Sequence, residues 1–305
     1  MLKPNNKFFN ASGCWSSNET QLDDLFNSKL NYIVSKTCTL NSKKGNEEPT
    51  YYTLDNIHIN SKGLPNEGYY YYKNLYSKYI NSNSINNEKP FILSVAWEHN
   101  EENTITILND YNNLVNNIDK NLDKKEELVE LNLSCPNLNH EIPSYNVALL
   151  DRILKLINNL NLNNLIFSLK LSPFLDHQLC DKIINIINEN NTTNKIKYIV
   201  LSNSIPNCLM LQNGEPVLSN IYGGLSGKLN KFISLSNIHY FKDRIDKNIQ
   251  LIGCGGIETI QDVNDYLNNG ASYVQLGSCF YDSSLNCLQY DKINSLVTQY
   301  ENSLI

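Results

Sequence analysis

Apolar residues fall along this chain in short, nearly continuous runs. They are Phe8–Gly13, Tyr32–Lys36, Phe91–Ala96, Leu128–Leu133, Leu165–Leu171, Tyr198–Ser202, Ile249–Gly253 and Tyr273–Gly277. Runs of this length, rich in Val, Ile, Phe and Tyr, read as strands buried on both faces, the pattern of a parallel sheet. Helical periodicity fills the gaps. Asn146–Leu160 carries Leu149, Leu150, Ile153, Leu154, Ile157 and Leu160 at helix spacing, and Glu19–Phe26 follows Asn18, a good N-cap. Eight runs alternating with helices predict an α/β chain folded as one (β/α)8 barrel domain over residues 1–305. A doubly wound open sheet is the runner-up, because counting runs can miss or invent a strand. Residues 38–90 and 205–223 are long and rich in turn formers, and read as loop insertions over the C-terminal face of the strands.

Charge narrows the partners. With 25 Lys and Arg against 31 Asp and Glu the formal net charge is -6, and the lysines are scattered. That argues against a nucleic-acid or anionic-membrane surface, which needs clustered basic residues. The mixed cluster Lys124-Lys125-Glu126-Glu127 reads as a solvated helix face. No apolar run is long enough to span a bilayer, and Met1–Asn6 resembles neither a signal peptide nor an arginine-rich presequence. A cytoplasmic protein with reduced thiols is the expectation. The 8 cysteines and 5 histidines are dispersed, without a Cys-x-x-Cys pair, so no metal site is expected.

The most informative segment is Leu131-Asn132-Leu133-Ser134-Cys135-Pro136-Asn137. It puts a thiol among amide and hydroxyl groups where a buried strand becomes a loop, the end of an α/β fold at which reactive side chains gather. An unpaired cysteine is most often a small buried hydrophobe; its neighbours make Cys135 a candidate catalyst. Lys36, Asn132, Lys170, Asn203 and Ser204 also stand at strand ends. One thiol and two lysines in an amide-rich pocket suit a planar, anionic ligand with many hydrogen-bonding groups. Gly253-Cys254-Gly255-Gly256-Ile257 and Gly277-Ser278 follow the last two runs. Glycines there let backbone N–H groups approach a phosphate, and barrels commonly bind phosphate after strands seven and eight. Cys38, Cys254 and Cys279, beside these segments, read as packing residues. Tyr69-Tyr70-Tyr71-Tyr72 reads as a barrel cover or subunit contact.

These segments together resemble dihydroorotate dehydrogenase, an FMN-dependent TIM barrel of pyrimidine (UMP) biosynthesis. The resemblance runs through Asn10–Gly13, Ser35–Leu40, Ile59–Gly68, the Asn-Leu-Ser-Cys-Pro-Asn motif, Asn203-Ser204, Gly223-Gly224 and Gly255–Thr259. It is nearest to the soluble, fumarate-using class 1A. The membrane-associated class has a serine base and an added N-terminal segment, whereas this chain has Cys135. The class that pairs with an iron–sulfur subunit reads Gly-Leu-Gln-Asn where this chain reads Gly63-Leu64-Pro65-Asn66.

The resemblance implies that L-dihydroorotate is oxidised to orotate and fumarate reduced to succinate. Cys135 would be the general base at C5 while a hydride leaves C6 for flavin N5. A free thiol titrates near ~8.5, so its surroundings must deprotonate it, or activity must rise with pH. Lys170 would stabilise charge on reduced flavin, and Lys36 would lie near flavin and substrate. Asn60, Asn132, Asn137, Asn203 and Ser204 would bind the pyrimidine, with the backbone N–H groups of Lys62, Gly63 and Leu64 on its carboxylate. Ala11, Ser12, Lys36, Asn132, Lys170, Gly223, Gly224, Gly255, Gly256, Gly277 and Ser278 would hold FMN. A homodimer is also implied. Two positions depart from the family pattern. Lys62 stands where Met or Ile is usual, and Asn139–Asn146 replaces the family's substrate-covering loop, with His140 read as a solvated loop residue. A related FMN barrel acting on another pyrimidine and a non-catalytic flavin-binding relative remain the alternatives.

Overall fold

A computed structural model of the chain describes residues 2–3, 5–81, 89–118, 126–134, 141–282 and 287–304. In chain order the strands are β1 (Phe8–Asn10), β2 (Ile33–Val34), β3 (Tyr51–Leu54), β4 (Ile57–Asn60), β5 (Phe91–Ala96), β6 (Glu127–Asn132), β7 (Leu165–Leu171) and β8 (Ile196–Leu201). They continue with β9 (Ile205–Leu209), β10 (Leu211–Gln212), β11 (Glu215–Pro216), β12 (Tyr222–Gly227), β13 (Gln250–Cys254), β14 (Ala271–Leu276), β15 (Tyr281–Asp282) and β16 (Cys287–Leu288). The helices are α1 (Glu19–Asn27), α2 (Tyr69–Asn81), α3 (Glu101–Ile118), α4 (Val147–Asn159), α5 (His177–Asn190), α6 (Asn230–Phe241), α7 (Ile260–Asn268) and α8 (Tyr290–Ser303).

Each of the eight apolar runs supplies one barrel strand. Their order is β1-β14-β13-β8-β7-β6-β5-β2, and every paired neighbour is parallel. The Phe9–Tyr32 bridge and the Phe8 carbonyl, which accepts from Asn31 and Tyr32, bring β2 back to β1. The result is the nearly closed (β/α)8 barrel expected. The first two strands are shorter than their runs, because Ser12–Gly13 and Lys36 leave the ladder to line the top of the barrel.

Alternation within the strands separates two layers. Val129, Leu131, Phe167 and Leu169 belong to the outer core with Leu150, Ile153 and Leu154 of α4. Leu128, Ile166, Tyr198 and Tyr273 belong to the inner one. At the N-terminal end the interior is aromatic. Phe9 stacks on Tyr32 at 4.4 Å and meets Tyr273 edge-on at 5.8 Å, with Tyr198 6.0 Å from Tyr273. Towards the C-terminal end the inward positions turn polar, to Ser94, Glu130, Ser168, Lys170 and Gln275, all buried. An apolar floor beneath polar residues confines the chemistry to one end.

The helix starts read from the sequence hold. Asn18 caps α1 by accepting from the Gln21 N–H, and Asn146 caps α4 through the Leu149 N–H. The two long insertions are not irregular. They fold into α2 and an antiparallel side sheet ordered β3-β4-β12-β9, with the β10–β11 hairpin beside it. Asp55 and Asn56 both take positive φ, 50° and 61°, the two-residue hairpin turn that Asp and Asn tolerate best. Glu127 corrects the helix-face reading of its cluster: it begins β6, and Lys124 and Lys125 lie outside the described residues. Tyr69 and Tyr72 of α2 are fully buried, while Tyr70 is exposed, so the tyrosine run packs the helix onto the barrel as expected.

Candidate functional site

A cavity of about 340 Å³ opens at the C-terminal ends of the barrel strands, within the range of ligand sites. Ala11 and Ser12 reach it from β1, Lys36 from β2, Asn132 from β6 and Lys170 from β7. Asn203 and Ser204 enter after β8, Gly255 and Gly256 after β13, and Gly277 and Ser278 after β14. The side sheet brings the rest. Asn60 ends β4 opposite Gly224 of β12, and Lys62, Gly63 and Leu64 follow it into the same cavity wall with Gly223. Cys135, Asn137 and His140 lie outside the described residues.

The amide groups on this wall hold one another. Asn132 Oδ1 accepts from the Ser134 N–H at 3.2 Å and from Ser134 Oγ at 2.7 Å. Asn203 Nδ2 donates to Ser134 Oγ at 2.6 Å. Asn60 Nδ2 donates to the Gly224 carbonyl at 3.3 Å, and a Cβ added at Gly224 would stand 2.2 Å from Ser204 Oγ. Glycine is thus required where β12 crosses the substrate-binding candidates. The residue before Cys135 is therefore fixed by two strands, β6 and the end of β8.

Both lysines are buried. Lys36 Nζ would meet a Cβ on Gly13 at 3.2 Å, so the loop after β1 closes over that ammonium. Lys170 Nζ donates to Gln275 Oε1 at 3.3 Å. Burial pulls its pKa down most strongly, yet the charge of Glu130, followed by Cys254 and Cys14, raises it above the ordinary lysine value. Lys170 is therefore an ammonium, a fixed cation in a place of low dielectric. Cys254 lines the same cavity, and burial pushes its thiol up to about 11, so it stays protonated near neutral pH.

Sequence reading missed the residues beneath this face. Glu130 accepts from Ser94 Oγ at 3.1 Å and from Gln275 Nε2 at 2.7 Å. Thr37 lies 3.0 Å from Ser94 and 2.9 Å from Ser12, and it accepts from Asn132 Nδ2 at 3.2 Å. A usable signal was present. Glu130 and Ser168 each interrupt an apolar run two positions before a predicted site residue, Asn132 and Lys170, and period two places them on the same inward face.

Two adjacent strand ends supply the kind of backbone that a phosphate needs. Gly255 and Gly256 take positive φ, 134° and 61°. A Cβ at Gly256 would lie 2.8 Å from Lys231 Cβ and 2.9 Å from the Gly227 carbonyl, so only glycine fits. At Gly277 the nearest atom to an added Cβ, Ala11 Cβ, is 3.6 Å away, leaving room for a ligand. These turns, the buried ammonium groups and the amide wall fit a flavin mononucleotide. The glycine turns would hold its phosphate, and Lys36, Asn132 and Lys170 would face its polar ring edge.

Fold and site define a (β/α)8 barrel with a polar cavity at the C-terminal ends of its strands. The family model described as dihydroorotate dehydrogenase matches residues 2–295. The chain is 32% identical over 286 residues to a protein of Lachancea kluyveri named dihydroorotate dehydrogenase (fumarate), covering 92% of this chain and 85% of that protein. It is 31% identical over 297 residues to a probable dihydroorotate dehydrogenase A (fumarate) of Streptococcus pneumoniae, covering 95% and 88%. A putative dihydroorotate dehydrogenase A (fumarate) of Streptococcus equi is 32% identical over 287 residues, covering 91% and 84%. The chain belongs to the dihydroorotate dehydrogenase family.

Proposed function

We propose that the chain is an FMN-dependent oxidoreductase that converts L-dihydroorotate to orotate and reduces fumarate to succinate. The observation that carries this reading is the convergence of Lys36, Lys170, Asn132 and Asn203 on one cavity that Gly255-Gly256 and Gly277-Ser278 also line. FMN, when bound, supplies the two-electron chemistry that takes a hydride from one substrate and returns it to the other. The side-chain work falls to the chain itself. Lys170 holds a fixed positive charge where negative charge develops, and Lys36 places a second on the same face. Asn60, Asn132, Asn203 and Ser204, with Asn137, orient the pyrimidine ring. The backbone N–H groups of Lys62, Gly63 and Leu64 take the carboxylate of either substrate. Cys135, next after the anchored Ser134, removes the C5 proton.

The same reading places residues 1–305 in one domain, since the eight-stranded sheet runs from β1 to β14. It also places the protein in the cytoplasm; no described helix is long and apolar enough to cross a membrane. A homodimer is part of the proposal, supported by Leu209, Leu211, Ile221 and Tyr222, large apolar residues exposed on and beside the side sheet. Sedimentation showing only monomer at micromolar concentration refutes the dimer.

The functional test is the flavin absorbance of the purified protein under anaerobic conditions. L-Dihydroorotate is expected to bleach the flavin absorbance and fumarate to restore it. Bleaching without restoration moves the acceptor elsewhere, and bound flavin that does not bleach overturns the substrate.

A further inference from the structure

We infer that Glu130 is the counter-charge to Lys170, coupled to it through Gln275, and that this three-residue chain sets the redox poise of the site above it. The inference rests on the flavin reading. Glu130 is 1% exposed and Lys170 3%, so neither charge is screened by water. Gln275 lies between them. Its Nε2 donates to Glu130 Oε2 at 2.7 Å and its Oε1 accepts from Lys170 Nζ at 3.3 Å. A carboxylate accepts only and an ammonium donates only, so the two charges together dictate which way the amide points. Ser94 Oγ completes the set by donating to Glu130 Oε1 at 3.1 Å.

The geometry separates two effects. Glu130 is a negative charge one residue removed from the ammonium that faces the ligand, and it opposes any further negative charge gained there on reduction. Gln275 is neutral and acts by position, holding the Lys170 ammonium in place. Removing the first should favour reduced flavin, and removing the second should disfavour it. A residue that merely packed the barrel would shift both variants in one direction or neither.

The test is the two-electron midpoint potential of the bound flavin, read by absorbance against a reference dye, in wild type, Glu130→Gln and Gln275→Leu. Glu130→Gln is expected to favour reduced flavin about tenfold, a positive shift of about 30 mV. Gln275→Leu is expected to move the potential negative, and Glu130→Asp, which keeps the charge, to stay close to wild type. A negative or absent shift in Glu130→Gln, or a positive shift in Gln275→Leu, overturns the inference. If either variant fails to fold, the direction of the other decides. Wild-type protein that holds no flavin after reconstitution overturns the functional reading itself, and this assignment with it.

Discussion

Asn10 and Val34 exchange two hydrogen bonds: Asn10 Nδ2 donates to the Val34 carbonyl at 2.7 Å, and the Val34 N–H donates to Asn10 Oδ1 at 2.7 Å. A side chain thereby does the work of a backbone ladder where β1 and β2 close the barrel. Both groups are buried, so their loss would leave the Val34 N–H and carbonyl without partners. Asn10→Ala is expected to cost about 2 kcal/mol, seen as a lower urea midpoint. Since Ala11 and Ser12 follow directly, the variant should also release flavin more readily. An unchanged midpoint would show that the closure is held elsewhere.

The turn after β13 gives a cleaner test of cofactor binding. Gly256 has φ of 61°, and an added Cβ would crowd Lys231 and the Gly227 carbonyl. Gly256→Ala must shift the turn that would hold the phosphate. We expect a protein that folds, with its melting temperature lowered by a few degrees, but purifies with little flavin. Full flavin occupancy would remove this turn from the phosphate site.

How far this could be read in advance depended on what each residue contacts. The barrel was legible because strands buried on both faces must be apolar along their length; Phe91–Ala96 and Leu165–Leu171 match strand boundaries residue for residue. Lys36, Asn132 and Lys170 were legible because polar groups at strand ends have one shared destination. The side sheet was hidden. Tyr51–Leu54 pairs with Ile57–Asn60, which pairs in turn with β12, more than a hundred and fifty residues away, and no local pattern encodes that partner. Gln275 was hidden for a related reason: its amide matters only because Glu130 and Lys170, on β6 and β7, stand on either side of it.

Asp262 should set part of the acid limit of stability. Burial raises its carboxyl, but the Lys231 ammonium, the Thr259 hydroxyl and the Glu258 and Thr259 N–H groups outweigh it and hold the pKa below the ordinary range. A carboxyl depressed in the folded chain stabilises fully above its unfolded value, about 3.9, and loses that contribution as pH falls through the folded value. It also completes the capping box of α7 with Thr259. Asp262→Asn should lose about 1 kcal/mol at pH 7, and the gap to wild type should close below pH 4. A gap of constant size down to pH 3 would refute the charge argument.

Cys135 follows Ser134, whose hydroxyl is tied to both Asn132 and Asn203. Under the proposed function, Ser134 is the fixed point from which the chain continues to the candidate base. Cys135→Ala is expected to retain flavin and to reduce it about a thousandfold more slowly with L-dihydroorotate. For wild type the rate should rise with pH as thiolate forms. Near-normal reduction in the variant would rule out a base role.

Lys62 brings a further positive charge to the cavity wall. Its ammonium lies 5.4 Å from the Tyr51 ring centre and 5.8 Å from that of Tyr281, and all three residues line the cavity. Two aromatic faces hold a cation in place without neutralising it. A dianion such as fumarate would then meet an extra positive charge on approach, one that backbone N–H groups alone do not provide. Lys62→Met should leave flavin content and the rate of flavin reduction at saturating dihydroorotate unchanged. KM for fumarate should rise about fivefold at low salt, with the difference shrinking as ionic strength screens the approach. A KM that is unchanged at low salt would mean that only the backbone of residues 62–64 meets the acceptor.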